Sequence, residues 1–189
     1  FIGVILLAST SFAKTADLAG KWYSPSPVDL SNELSGYLNE AHVPEFTHNP
    51  IAFFVPHAGF RFSGQVAAYS YKVIEKIKPK TIILVGASHH KYQENTASVF
   101  NDEYFSTPLG KIFIDKEMSE DLLESSNIFE DLPEAYKEEN SIEMQIPFIQ
   151  MVSPDSKLVI ITLMDQSERN LVEISRVLTE KLKQKEDYV

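Results

Sequence analysis

Apolar and polar positions along the chain alternate in two rhythms. Leu30, Leu34 and Leu38 recur at i, i+4 and i+8, which predicts a helix from about Asp29 to Ala41 with one buried face. Helical spacing returns over Gly64–Ile77, over 116–126, over 141–152 with Pro147 inside it, and over Ser167 to about Lys185. Between these lie short unbroken apolar runs: Ile51–Val55, Thr81–Gly86 and Lys157–Met164. A run of that length bounded by Gly and Pro reads as a strand buried on both faces, as in a parallel sheet. Strand, helix and strand within 51–86 form a βαβ unit, whose crossover is nearly always right-handed. Residues 97–115 predict an antiparallel excursion around Pro108-Leu109-Gly110. The class is α/β, with a mainly parallel central sheet flanked by helices.

The N-terminal run Phe1–Ala8 breaks this pattern. It is too short to span a bilayer, and small residues follow it, with Ser11 and Ala13 at −3 and −1 of a cleavage point. Residues 1–13 therefore predict a signal peptide, with an exported domain over 14–189; a buried N-terminal strand is the alternative. Without a signal the domain is cytoplasmic, and after signal removal no stable membrane insertion is expected.

Composition narrows the chemistry. The formal net charge is −10, which argues against nucleic acid as a partner, because phosphate neutralisation needs Lys and Arg. Cysteine is absent, so any metal bound by these residues must use His, Asp, Glu or backbone oxygen. Two histidines stand directly after apolar runs: His57 after Phe53-Phe54-Val55-Pro56, and His89 after Leu84-Val85-Gly86-Ala87-Ser88. Ligands of open parallel sheets bind beyond the carboxyl ends of strands, and neutral imidazole is the commonest metal ligand. The pair points to a metal centre; for either His alone, an ordinary loop or core role is the plainer reading. Gly59, Gly64 and Gly86 beside them permit close backbone approach. His42 and His48 match no motif.

Larger motifs then carry a resemblance. Pro56-His57-Ala58-Gly59-Phe60-Arg61-Phe62-Ser63-Gly64, Gly86-Ala87-Ser88-His89-His90, Ser106-Thr107-Pro108-Leu109-Gly110, Asn140-Ser141-Ile142-Glu143-Met144-Gln145-Ile146-Pro147-Phe148 and Gly20-Lys21-Trp22-Tyr23 occur together. They resemble segments of the Memo family, also met as AmmeMemoRadiSam system protein B, in that family's order. The resemblance implies a fold like that of the class III extradiol dioxygenases and a divalent metal on His57 and His89, iron first, with copper or zinc as alternatives. It also implies a third ligand and an acid/base His in a C-terminal part that this sequence lacks, so that the chain is expected to be a fragment of the domain. His90 and Ser88 are expected behind or beside the ligands, and Trp22 in the cleft or the core. Glu143 is expected as the partner of Asn140 in a helix capping box, or as a carboxylate orienting a ligand His. Both motif tyrosines are replaced, by Phe60 and Phe62, which removes two phenols. Three functions stay open: an oxygen-using metalloenzyme acting on a small aromatic molecule, a metal-binding protein without turnover, and a metal-dependent hydrolase.

Overall fold

The computed structural model describes residues 13–48, 50–183, 185 and 187–189; nearly all of the expected signal peptide lies outside them. The leading segment contributes β1 (Lys14–Thr15) and α1 (Pro27–Glu40). Helix α2 (Phe60–Ile77) and strand β2 (Thr81–Ala87) follow. Next come β3 (Ala97–Val99), the hairpin β4 (Tyr104–Thr107) and β5 (Gly110–Phe113), and α3 (Lys116–Ser125). The chain continues through β6 (Phe129–Glu130), a 3-10 turn at Pro133–Tyr136, the single turn α4 (Asn140–Glu143) and α5 (Ile146–Val152). It ends with β7 (Lys157–Leu163) and α6 (Glu168–Leu182). Among the described residues no helix is long and apolar enough to cross a membrane.

The strands form two mixed sheets, of order β2-β7-β3-β6 and β1-β4-β5. The parallel pair β2·β7 runs from Thr81↔Lys157 to Ala87↔Leu163, but β3 lies antiparallel on the other side of β7. The α/β class stands, and the larger sheet is mixed: β2·β7 and β3·β6 are parallel and β3·β7 is antiparallel. Residues 88–96 lead from β2 to β3 without a crossover helix, and a strand that returned parallel in the same sheet would need such a crossover.

The run Ile51–Val55 is not a strand. Phe53 and Val55 pack on the core, while Ile51 and Phe54 are 86% and 104% exposed. Its backbone finds no partner among the described residues, and a strand needs a hydrogen-bonding neighbour as well as apolar side chains. The βαβ expectation thus keeps only its helix and second strand. The 141–152 helix divides into α4 and α5, with Pro147 in the first turn of α5, where its missing N–H costs nothing. The hairpin at Pro108-Leu109-Gly110 forms as expected, with Gly110 at φ +114°.

The main core gathers Leu30, Leu34 and Leu38 of α1, Phe60, Ala67, Ala68 and Tyr71 of α2, and Phe148 of α5 beneath the sheet. Gly64 is required at the α1–α2 crossing, since a Cβ there would lie 2.5 Å from the Tyr37 ring. A second core, built on Val159 and Ile161 of β7, packs α3 and α6 on the opposite face.

Candidate metal centre

His89 follows the end of β2 by two residues. Ser88 donates its N–H to Leu163 O and accepts from Lys91 N–H through Oγ, so Ser88 builds the turn. His57 stands at the end of the unpaired 51–55 segment, three residues before α2. The first turn of α2 has no side-chain cap; Phe60 instead donates its N–H to Trp22 O at 3.3 Å. Gly59 makes that approach possible, because a Cβ there would sit 3.2 Å from the same carbonyl.

These two loops bring the imidazoles of His57 and His89 face to edge, with ring centroids 5.2 Å apart and planes at 66°. The spacing suits a shared ion. Metal–nitrogen bonds of about 2.0–2.1 Å at a tetrahedral angle, plus roughly 1 Å from nitrogen to ring centre, put two ligand rings about 5 Å apart.

The turn α4 sits behind both loops. Glu139, its N-cap, is 1% exposed. One oxygen accepts from His89 N–H at 2.8 Å; the other lies 2.8 Å from His89 Nδ1 and 2.9 Å from Ser141 N. Burial alone would raise the Glu139 pKa, but the hydrogen bonds from His89 and Ser141 outweigh it and hold the carboxyl below its ordinary value. Asn140 Nδ2 donates to His57 O, Ser141 Oγ to Ala87 O, and Gln145 Nε2 to Pro56 O, while Tyr71 OH fixes Gln145 from the far side.

His57 makes no hydrogen bond through its ring to a described residue. Burial, reinforced by the nearby His89 and opposed by Glu139, pushes its pKa below 6.5. Neutral imidazole is the form that ligates.

The remaining expected residues separate from the pair. His90 turns away, with Nε2 3.2 Å from Glu138 O. Glu143 neither orients a histidine nor completes a capping box with Asn140. Its buried carboxylate accepts from Asp17 N–H, Leu18 N–H and Tyr23 OH, which ties the leading segment to α4. Burial first, and the Glu143 charge second, hold the Tyr23 phenol protonated far above its usual range. Trp22 is 39% exposed and so is not a buried core residue; its backbone carbonyl receives α2. Phe60 is buried between Tyr23 and Phe148, and Phe62 is exposed beside Arg61. Glu139 is the site residue that the motif reading missed. The sequence puts Asn140 at the cap, whereas the helix is capped by Glu139, at a position that usually takes Ser, Thr, Asp or Asn.

An apolar cavity of about 570 Å³ opens beside the pair. His57, Ser141 and Gln145 contribute to its wall, and most of the rest comes from 51–55 and β2, with residues of α2 and α6 closing it. Among the described residues no group of three or more His, Asp or Glu is arranged to hold a metal, so the chain supplies a pair of candidate ligands.

Comparison with known proteins agrees with the motifs. The family profile described as "Memo-like protein" matches residues 14–189. A MEMO1 family protein of Caldivirga maquilingensis is 32% identical over 169 residues, covering 85% of this chain and 58% of that protein. One of Thermoplasma acidophilum is 33% identical over 172 residues, 90% of this chain and 61% of its own length. One of Methanobrevibacter smithii is 39% identical over 119 residues, 62% and 42% of the two chains. The chain thus spans about half the length of the curated relatives it matches. With the profile matched from Lys14 to the last residue and relatives above 30% identity across most of its length, this chain belongs to the Memo family.

Proposed function

We propose that the protein binds a divalent metal through His57 and His89, iron foremost, as the half of a non-haem site that these residues supply. The observation that carries the reading is the convergence of two imidazoles from separate loops at 5.2 Å, both held on one buried turn. A bound metal of this kind supplies Lewis-acid polarisation and open positions for a small molecule or oxygen. A non-haem centre needs a further ligand, and the described residues offer this pair alone. The apolar cavity beside His57 suits a substrate with an apolar or aromatic body. Within this reading, the protein's residues hold the metal, orient His89 and keep one side of the site dry.

Metal titration with elemental analysis tests this reading. The full-length protein should bind about one divalent metal per chain. His57→Ala and His89→Ala should each abolish tight binding. His90→Ala should cost at most about 10–100-fold, the range for groups that contact a ligand rather than the metal. Unweakened, stoichiometric metal in His57→Ala would make His57 a loop residue and end the proposal.

A further inference from the structure

We propose that the 139–145 turn is the positioning element of the histidine pair, with Glu139 fixing the tautomer of His89 so that its Nε2 lone pair faces His57. The inference rests on the metal reading for its purpose, but its content is a property of the metal-free protein.

Helix capping alone does not account for Glu139. A cap requires one acceptor for one N–H near the start of the helix, and the contact with Ser141 N supplies it. The same carboxylate also receives the His89 backbone N–H and faces Nδ1 of the ring. A shorter Asp or Ser would cap as well, yet a buried Glu stands here, reaching a residue 50 positions away. An ionised carboxylate only accepts hydrogen bonds, so Nδ1 carries a proton, and in the neutral ring Nε2 is then the nitrogen that keeps its lone pair. The backbone contact fixes the loop while the ring contact fixes χ1 and χ2.

The rest of the turn extends the same function to the other histidine. Asn140 Nδ2 holds His57 O at 3.2 Å, and Gln145 Nε2 holds Pro56 O at 3.3 Å. Ser141 Oγ holds Ala87 O at 3.0 Å. Both site loops are thus referenced to one helical turn, which sets their separation. This gives a physical role to the Asn-Ser-Ile-Glu-Met-Gln motif: most of its polar side chains hold backbone carbonyls of the site loops, and Glu143 anchors the turn to the leading segment.

The test is long-range ¹⁵N–¹H correlation of the imidazoles in metal-free protein at neutral pH. Wild type should show His89 as the Nδ1–H tautomer. Glu139→Gln, whose amide can present oxygen or NH₂, should move His89 towards a mixture of tautomers and weaken Zn(II) binding by about 10–100-fold. His89 found mainly as Nε2–H in wild type would overturn the inference, and this result needs no variant to fold. An unchanged tautomer in a folded Glu139→Gln protein would overturn it equally. Nδ1–H in wild-type protein that takes up no Zn(II) would support the positioning role while removing the metal reading, so the two failures are distinguishable.

Discussion

At the scale of single residues, proximity and burial set the protonation of the site. His57 is partly buried and faces a second imidazole, and both effects disfavour its cation. A His with a depressed folded pKa binds its proton more readily when unfolded. In the window from 6.5 down to the folded value the unfolded chain therefore holds more protons, and stability falls as pH falls through that window. Above 6.5 this group contributes no pH dependence. Metal affinity should follow the same profile, flat at neutral pH and declining once protons compete for the ring. NMR titration of the His57 ring in metal-free protein should give a midpoint below 6.5. A midpoint at or above that value would show that Glu139, which pulls the other way, dominates. The histidines themselves were legible from their place after apolar runs. Glu139 was not, because its meaning depends on His89, a residue distant in sequence, and because Asn140 and Glu143 imitate a capping box one position later.

At the scale of elements, the site depends on how closely α4 approaches β2. A Cβ added at Gly86 would lie 2.3 Å from Ser141 Oγ and 2.7 Å from Ile142 Cδ1. Real side chains do not tolerate such contacts, so Gly86→Ala must displace Ser141 Oγ and the Ile142 side chain and disturb the Ser141–Ala87 bond. Overpacking of this kind costs about 1–3 kcal/mol. Gly36, exposed on α1 with nothing within 4 Å of its virtual Cβ, is the comparison: Ala there should stabilise by about 0.5–1 kcal/mol through helix propensity. Denaturant unfolding of both variants measures the contrast, and a neutral Gly86→Ala would mean that α4 is not seated as described. Most helices were readable from periodicity, since α1, α2, α3 and α6 each present one apolar stripe. The 51–55 run shows the limit of that method. Its composition matches β2 and β7, but its state is decided by a neighbouring strand that composition does not encode. The two long apolar runs expected in a parallel sheet do pair in parallel, as β2 and β7, whereas the antiparallel β3 beside β7 was hidden, as short apolar runs carry no polarity.

At the scale of the whole molecule, part of one side of β2 has no strand partner among the described residues. Asp187 and Val189 pair beside its beginning, with Ile83 N–H donating to Val189 O and Val189 N–H to Thr81 O. In a ladder the residues facing one neighbour alternate, so Val85 presents its backbone to the same side, beyond the last of these bonds. Val85 is 49% exposed, and Ile51 and Phe54 flank the groove almost fully exposed. An open strand edge beside apolar side chains is a template for pairing with another chain. The net charge of −10 opposes such contact by repulsion, but charge acts over about 10 Å at 0.1 M salt and less above it, whereas edge pairing and apolar burial act at contact. Screening should therefore let the short-range terms win. The 189-residue chain is predicted to self-associate at roughly μM–mM concentration, more strongly as salt is raised, and Val85→Lys should suppress this by placing a charge on the edge. Sedimentation velocity across salt and concentration is the measurement. A chain that stays monomeric at high salt would show that the 51–55 segment already shields the edge. Association that weakens with salt would assign it to ion pairs elsewhere on the surface.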